Sequence, residues 1–300
     1  MPEAAAGWPP GADDQLECVV NLSEGRDGGF VDTLGERCAD VLLDVHRDTT
    51  HHRSVWTLGG PTDLVEAATR VLAAAAVARF DLGDHRGVHP RFGVVDVVPF
   101  VPLGPDGSTS PRPPLGPAVA ARDRFAQWAA SHLHLPCFLY GPLPGGGFRT
   151  LPEVRRWAFT SLTPDVGPPR PHPTAGACAV GARHPLVAYN LTVAGGSMAL
   201  ARQVAAYLRG PDVRALAFDL DGTPQVSINL VEPETVGPAE AYDLVSGRLA
   251  AAGARIAGAE LVGLLPAGVL ATTAASRWAE LGLGPERTIE GRLAERLRRR

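Results

Sequence analysis

The sequence predicts an α+β protein built from two tandem β-α-β-β-α-β units of the ferredoxin-like kind, each a sheet covered by helices. Three observations predict it. Apolar periodicity alternates between the strand and helix patterns in the same order in both halves, although the residues themselves do not recur. Asp221-Gly222 sits between two apolar runs, a strong hairpin signal. The 34 glycines and 28 prolines of the 300 residues supply many turns, yet at about a fifth of the chain they stay below the roughly 25–30% of low-complexity disorder.

Leu16 to Leu22 reads as an apolar strand, and Asp27 to Ala39 as a helix with Phe30, Val31, Leu34 and Cys38 at helical spacing. Two strands follow, Val41 to Val45 and Ser54 to Leu58. Thr62 to Phe80 is the clearest helix, with Thr62 as its expected cap and an apolar stripe through Val65, Ala68, Leu72 and Ala75. Val94 to Val101 completes the first unit as a strand. The second unit runs Leu186 to Thr192 (strand), Met198 to Leu208 (helix), Val213 to Leu220 and Gln225 to Val231 (hairpin), Ala239 to Ala252 (helix) and Ile256 to Leu264 (strand). Between them, Pro102 to Pro185 holds a helix at Pro117 to His134 and a short strand at Cys137 to Tyr140. The Pro-rich run Pro164 to Pro173 fits a linker or a rigid ligand loop equally well.

Composition narrows the function classes. With 45% hydrophobic and 20% charged residues the chain reads as a soluble globular protein. All 28 basic residues are Arg, the net charge is -4, and the one basic cluster is the tail Arg296, Arg298, Arg299 and Arg300, so nucleic acid is not an expected partner. No apolar run reaches the ~18 residues of a membrane span, and the first 14 residues lack the basic start and apolar core of a secretory signal. Cys18, Cys38, Cys137 and Cys178 form no C-x-x-C pair and read as reduced thiols of a cytoplasmic protein.

Histidine carries the chemical signal. Five of the nine, His46, His51, His52, His85 and His89, fall within 44 residues. The four-residue spacing of His85 and His89 would suit a metal on a helix, but Gly87 and Pro90 argue against a regular helix, and H-E-x-x-H is absent. No metal is therefore expected. The segment Asp84 to Gly93 (DHRGVHPRFG) joins a helix to a buried strand, a place where α/β proteins put chemistry; an exposed polar turn is the other reading. Arg53, Arg86 and Arg91 lie beside these histidines, as anion forks or as surface ion pairs. The sequence has no G-x-S-x-G elbow, phosphate loop or dinucleotide fingerprint, and Gly145 to Gly147 lacks the Lys and Ser/Thr of a phosphate site.

Several ordered blocks resemble the formiminotransferase domain of the formiminotransferase-cyclodeaminase family. They are ECVVNLSEGR (Glu17 to Arg26), VLLDV, HRSVWTLGGP (His52 to Pro61), HRGVHPRFGVVDVVPFVP (His85 to Pro102), GAR (Gly181 to Arg183), YNL, QVSINL (Gln225 to Leu230) and ELVGLLP (Glu260 to Pro266). The resemblance covers about Glu17 to Glu290, and no cyclodeaminase segment follows, so a stand-alone transferase is expected. It implies two α/β subdomains, 14–183 and 184–300, with a folate tunnel between them, in a cytoplasmic homodimer. It implies transfer of a formimino group from N-formimino-L-glutamate to tetrahydrofolate, a co-substrate that leaves no need for a metal, in histidine breakdown.

The residue matching the family's catalytic base is His89. The segment matching its folate loop is Gly167, Pro168, Pro169, Arg170, Pro171, His172, Pro173, Thr174, Ala175 and Gly176. Arg53, Arg91 and Arg183 are the candidates for the glutamate and folate carboxylates. The chain departs from the family pattern at Val88 (usually Glu), His46 (usually Asp) and His52 (usually Asn), and its folate loop lacks the usual aromatic residues. A folate-binding paralogue with another formyl or formimino donor, or with no catalysis, is the alternative. Transfer to another amine and a metal-dependent hydrolase stand further off.

Overall fold

The computed structural model describes residues 14–298. The N-terminal stretch read above as no secretory signal lies almost wholly outside the described residues, as do Arg299 and Arg300 of the basic tail. The described chain forms two compact units, one of residues 14–47, 52–86 and 90–184, the other of 48–51, 87–89 and 185–298.

The first unit begins β1 (Gln15–Leu22), α1 (Gly28–Arg37), β2 (Leu42–Asp48), β3 (Arg53–Pro61), α2 (Thr62–Arg79) and β4 (Val95–Leu103). This is the predicted β-α-β-β-α-β series. Asp27 starts α1 by accepting the Phe30 N–H at 2.9 Å, which offsets the poor helix propensity of Gly28 and Gly29. Helix α2 buries Val65, Ala68 and Leu72 of the expected stripe, which ends on Ala76, four residues on, while Ala75 is only part-buried. Thr62 is not its cap. Pro61 holds that position, and the Thr62 hydroxyl is spent on the Asp14 carbonyl at 3.0 Å.

The strands lie in the order β2-β3-β1-β4, with β1 antiparallel to both β3 and β4. The sheet then continues through β7 (Cys178–Ala182), β5 (Cys137–Pro142) and β6 (Phe148–Arg149), with β7 parallel to both β4 and β5. Helices α3 (Gly116–Leu133) and α4 (Leu151–Trp157) belong to this extension. Pro117 sits in the first turn of α3, and His134 ends it at φ 50°. A reciprocal capping box, Thr150 with Glu153, starts α4. The extension makes a seven-stranded sheet out of the four strands that the ferredoxin-like pattern alone supplies.

The second unit contains β8 (Val187–Ala194), α5 (Met198–Leu208), β9 (Val213–Leu220), β10 (Thr223–Leu230), α6 (Pro238–Ala250) and β11 (Arg255–Val262). Its order, β11-β8-β10-β9, is that of β4-β1-β3-β2, so the two units share one topology. Asp221 and Gly222, at φ 51° and 90°, form the predicted two-residue turn between paired Leu220 and Thr223. Short helices α7 (Ala267–Ala271) and α8 (Trp278–Leu281) lead to α9 (Ile289–Arg298), whose last turn carries Arg296 and Arg298. Each unit has its own apolar core, centred on Trp56, Leu72 and Phe100 in the first and on Tyr189, Leu191 and Ile228 in the second. All four cysteines are buried and free. Among the described residues no helix is long and apolar enough to cross a membrane.

Candidate active site

The segment after α2 makes one short turn, Leu82–Asp84, and then runs without regular structure to β4. Gly87 and Pro90 deny it a helix, so His85 and His89 do not share a helical face. The histidines separate into two groups with different work.

His52 and His85 are buried and stacked, with ring centroids 4.2 Å apart. His85 Nε2–H donates to the His52 carbonyl at 2.7 Å, and burial pushes its pKa down to about 4, so the ring is neutral. His52 stands at φ 52°; its Nε2–H donates to Glu24 at 3.1 Å while Nδ1 accepts the Arg86 backbone N–H at 3.4 Å. Glu24 is held in turn by the backbone N–H groups of Arg26 and Asp27. Both rings are therefore consumed in fixing the loop. Among the described residues no three His, Cys, Asp or Glu side chains gather as a metal-binding group.

His51 and His89 belong to the second compact unit. Phe218 of β9 and Gln225 of β10 are a cross-strand pair, so their side chains stand on one face of that sheet. His89 is part-buried and stacks on Phe218 at 5.6 Å. His51 meets Phe218 edge-on at 5.0 Å and His89 at 5.9 Å, and its Nε2 is 2.9 Å from Gln225 Oε1. An amide oxygen only accepts, so Nε2 carries the proton there and Nδ1 carries the lone pair. The arrangement offers one part-exposed imidazole, His89, set on an aromatic surface beside a second. Pro90 limits the backbone at that point. His46 lies on β2, part-buried.

The three candidate arginines differ in what already holds them. Arg53 is embedded: Nη1 donates to Asp96 at 2.7 Å, Nε and Nη2 to Asn21, and Arg155 shares the same Asp96 at 2.7 Å. Burial would push the Asp96 carboxyl up, but the two guanidiniums outweigh it and hold it at about 2. Asp96 Oδ1 also accepts the Phe92 backbone N–H at 2.7 Å. Arg91 is exposed and donates to the His85 carbonyl at 3.1 Å. Arg183 is part-buried and donates to the His184 carbonyl at 2.9 Å.

The Pro-rich loop has an exposed front and a fixed end. Gly167, Pro169, Arg170, Pro171 and Pro173 are exposed; Pro168, His172 and Thr174 are part-buried; Ala175 and Gly176 are buried. His172 Nδ1 accepts the N–H of Thr174 and of Ala175, curling the loop on itself. The Thr174 carbonyl accepts from Leu82 and the Ala175 carbonyl from Val94, each through the backbone. Gly93 and Gly176 pair, and a Cβ on Gly93 would stand 2.0 Å from the Ala177 carbonyl oxygen. The structure thus joins the end of this loop to the residues just after His89.

Sequence reasoning gave no role to Glu24, Asp96, Arg155 or Phe218, and quoted Gln225 only within a strand block. Asp96, inside an otherwise apolar run, was the one signal available: a buried carboxylate demands partners.

Comparison with known proteins gives concordant findings. Residues 15–183 match the family described as the formiminotransferase domain, N-terminal subdomain. A glutamate formimidoyltransferase of Streptococcus pyogenes serotype M1 is 32% identical over 276 residues, 85% of this chain and 90% of that protein. One from Thermoplasma acidophilum is 34% identical over 275 residues, covering 84% and 88%. The formimidoyltransferase-cyclodeaminase of Sus scrofa is 32% identical over 288 residues; they are 87% of this chain and 52% of that longer relative.

Proposed function

We propose that this chain, which belongs to the formiminotransferase family, transfers a formimino group from N-formimino-L-glutamate to tetrahydrofolate. The observation that carries the reading is likeness along nearly the whole length of two glutamate formimidoyltransferases, rather than along one motif. Subdomains 14–183 and 184–300, a cytoplasmic setting, a homodimer and a role in histidine breakdown belong to the same proposal, as does a reaction that needs no metal.

In this proposal His89 accepts the proton that nitrogen 5 of the pterin loses as it bonds to the formimino carbon. It returns that proton to the glutamate nitrogen as the old carbon–nitrogen bond breaks, so the proton count balances. A positioned imidazole is typically worth roughly 10²–10⁴ in rate, and holding both substrates in register adds to it. Stacking on Phe218 and the stiffness of Pro90 support a fixed ring at this position. Residues 167–176 are assigned to folate, supported by the anchorage of Ala175 and Gly176. Arg91 and Arg183 remain candidates for the carboxylates, each a planar fork suited to that group. Arg53 is the weakest of the three, because Asp96 and Asn21 already occupy its fork.

Purified protein given both substrates should form 5-formimino-tetrahydrofolate, and His89→Ala should lower turnover by about 10²–10⁴ while folate still binds. Near-full turnover in that variant would remove the proton-transfer role. A folate-binding paralogue without turnover is the second reading, favoured by the exposed apolar side chain of Val88 where the family pattern has Glu. Folate binding with no product from the unaltered chain would select it.

A further inference from the structure

We propose that His51 is the positioning partner of His89, its buried Nδ1 accepting the N–H that the His89 ring gains when it takes up a proton. The inference rests on the role given to His89 above and adds a residue that the family pattern did not single out.

The geometry leads to it in three steps. His51 is 6% exposed, and its Nδ1 is buried without a hydrogen-bond partner. An unpaired buried acceptor carries an uncompensated desolvation penalty, so its presence beside a functional ring needs a reason. Its tautomer is set: Gln225 Oε1 takes Nε2–H, leaving Nδ1 as a lone pair. The neighbouring ring is His89, with centroids 5.9 Å apart at 68°, and both rings lean on Phe218. In the resting structure the Nδ1 acceptor is unfilled. Rotation of a ring closes the gap once His89 is an imidazolium with two N–H groups; catalytic hydrogen bonds often tighten only when the reaction demands them.

The series Gln225–His51–His89 then works as an acceptor chain for positive charge. Gln225 orients His51, and His51 orients His89 and stabilises its charged form. The groups facing His51 are His89, Phe218 of β9, Gln225 of β10 and, on its own loop, Asp48, whose carboxylate accepts the His51 backbone N–H at 2.7 Å. Of these only Asp48 and His89 titrate, and the Asp48 contact is to the backbone, so the polar contact of the ring itself is the one with Gln225.

The test is a pH titration of the His89 ring by NMR on ¹³C-histidine-labelled full-length protein, with no substrate present. His51→Phe removes the acceptor and should lower the His89 midpoint by on the order of one pH unit, the scale of one hydrogen bond to a charged group. His51→Asn keeps an acceptor at the Nδ1 position and should restore most of that shift. Gln225→Glu makes His51 a stronger acceptor and should raise the midpoint, which keeps the proposal testable if His51→Phe does not fold. With formiminoglutamate and tetrahydrofolate, His51→Phe should lower kcat about tenfold, the same hydrogen bond read as rate, with KM for both substrates within about twofold. An unmoved midpoint in His51→Phe, or equal shifts in the Phe and Asn variants, overturns the proposal. The ring titration needs no turnover, so a chain that transfers no formimino group fails the earlier reading and leaves this result to stand or fall separately.

Discussion

Replacing Asp96 by Asn tests whether the ground beneath the His89 loop is electrostatic. The carboxylate is fully buried and faces Arg53 and Arg155 at 2.7 Å each; the two side chains are 11% and 27% exposed. A carboxyl held at about 2 instead of its ordinary 3.8 contributes about 2.5 kcal/mol at neutral pH, at 1.36 kcal/mol per pH unit. That figure counts only the difference between charged and protonated forms. Asn also leaves Arg53 desolvated without a counter-charge, and breaking a buried pair in that way costs about 3–5 kcal/mol. The expected loss is thus about 2.5–5 kcal/mol, carried by the unfolding of the first compact unit.

Urea unfolding at pH 7, followed by fluorescence of buried Trp56, measures it. The pH dependence supplies the sign. A depressed acid stabilises fully above its unfolded value and loses that stabilisation as pH falls through its folded value. The gap between the two proteins should therefore hold from pH 7 to 5 and begin to narrow only near 3.8. A loss below about 1 kcal/mol at pH 7, within the range of exposed ion pairs, would refute the reasoning and make Asp96 a spectator to its two arginines.

Two further outcomes follow from the same loop. His85 is depressed to about 4 from 6.5, so its contribution is complete above pH 6.5 and lost as pH falls toward 4; His85→Gln should flatten stability over that window by up to about 3 kcal/mol, read from urea curves at several pH values. Gly93→Ala places a methyl 2.0 Å from the Ala177 carbonyl oxygen and 2.8 Å from that of Ala175, so its cost should reach or exceed the upper end of the roughly 1–3 kcal/mol of overpacking, and a thermal melt within experimental error of the parent would show that the loops are not held together there.

The fold was legible wherever one side of an element meets water. Helix α2 alternates buried and part-exposed positions with a clear period, and Asp221-Gly222 announced its hairpin because that turn demands two residues at positive φ. The family blocks, which rest on residues rather than on period, placed the chain correctly as well. Strand β7 was missed for the opposite reason. Cys178–Ala182 is buried at every position, so no alternation marks it, and it follows a Pro-rich run that reads as loop. Helix α4 was also missed: its Thr150–Glu153 capping pair went unread, and a seven-residue helix has too few turns to show a stripe. The cap of α2 went wrong because a hydroxyl at a helix start has rivals: Thr62 found the Asp14 carbonyl.

The histidine cluster shows what spacing in the chain leaves unsaid. His51 and His52 are neighbours in sequence, yet they face different partners. At φ 52° the backbone of residue 52 occupies a region that few residues with side chains adopt, Asn, Asp and His being the ones enriched there. His52 meets that backbone demand and offsets the strain with two hydrogen bonds, one to Glu24 and one from Arg86. That left-handed turn is what sends the two rings apart. It commits His52, with His85, to the loop, and it leaves His51 with Gln225 on one nitrogen and an unfilled acceptor on the other. Five histidines within 44 residues suggest one centre. A single residue at positive φ separates four of them into a stacked pair that supports the loop, His52 with His85, and a pair on Phe218, His51 with His89, while His46 stays on β2.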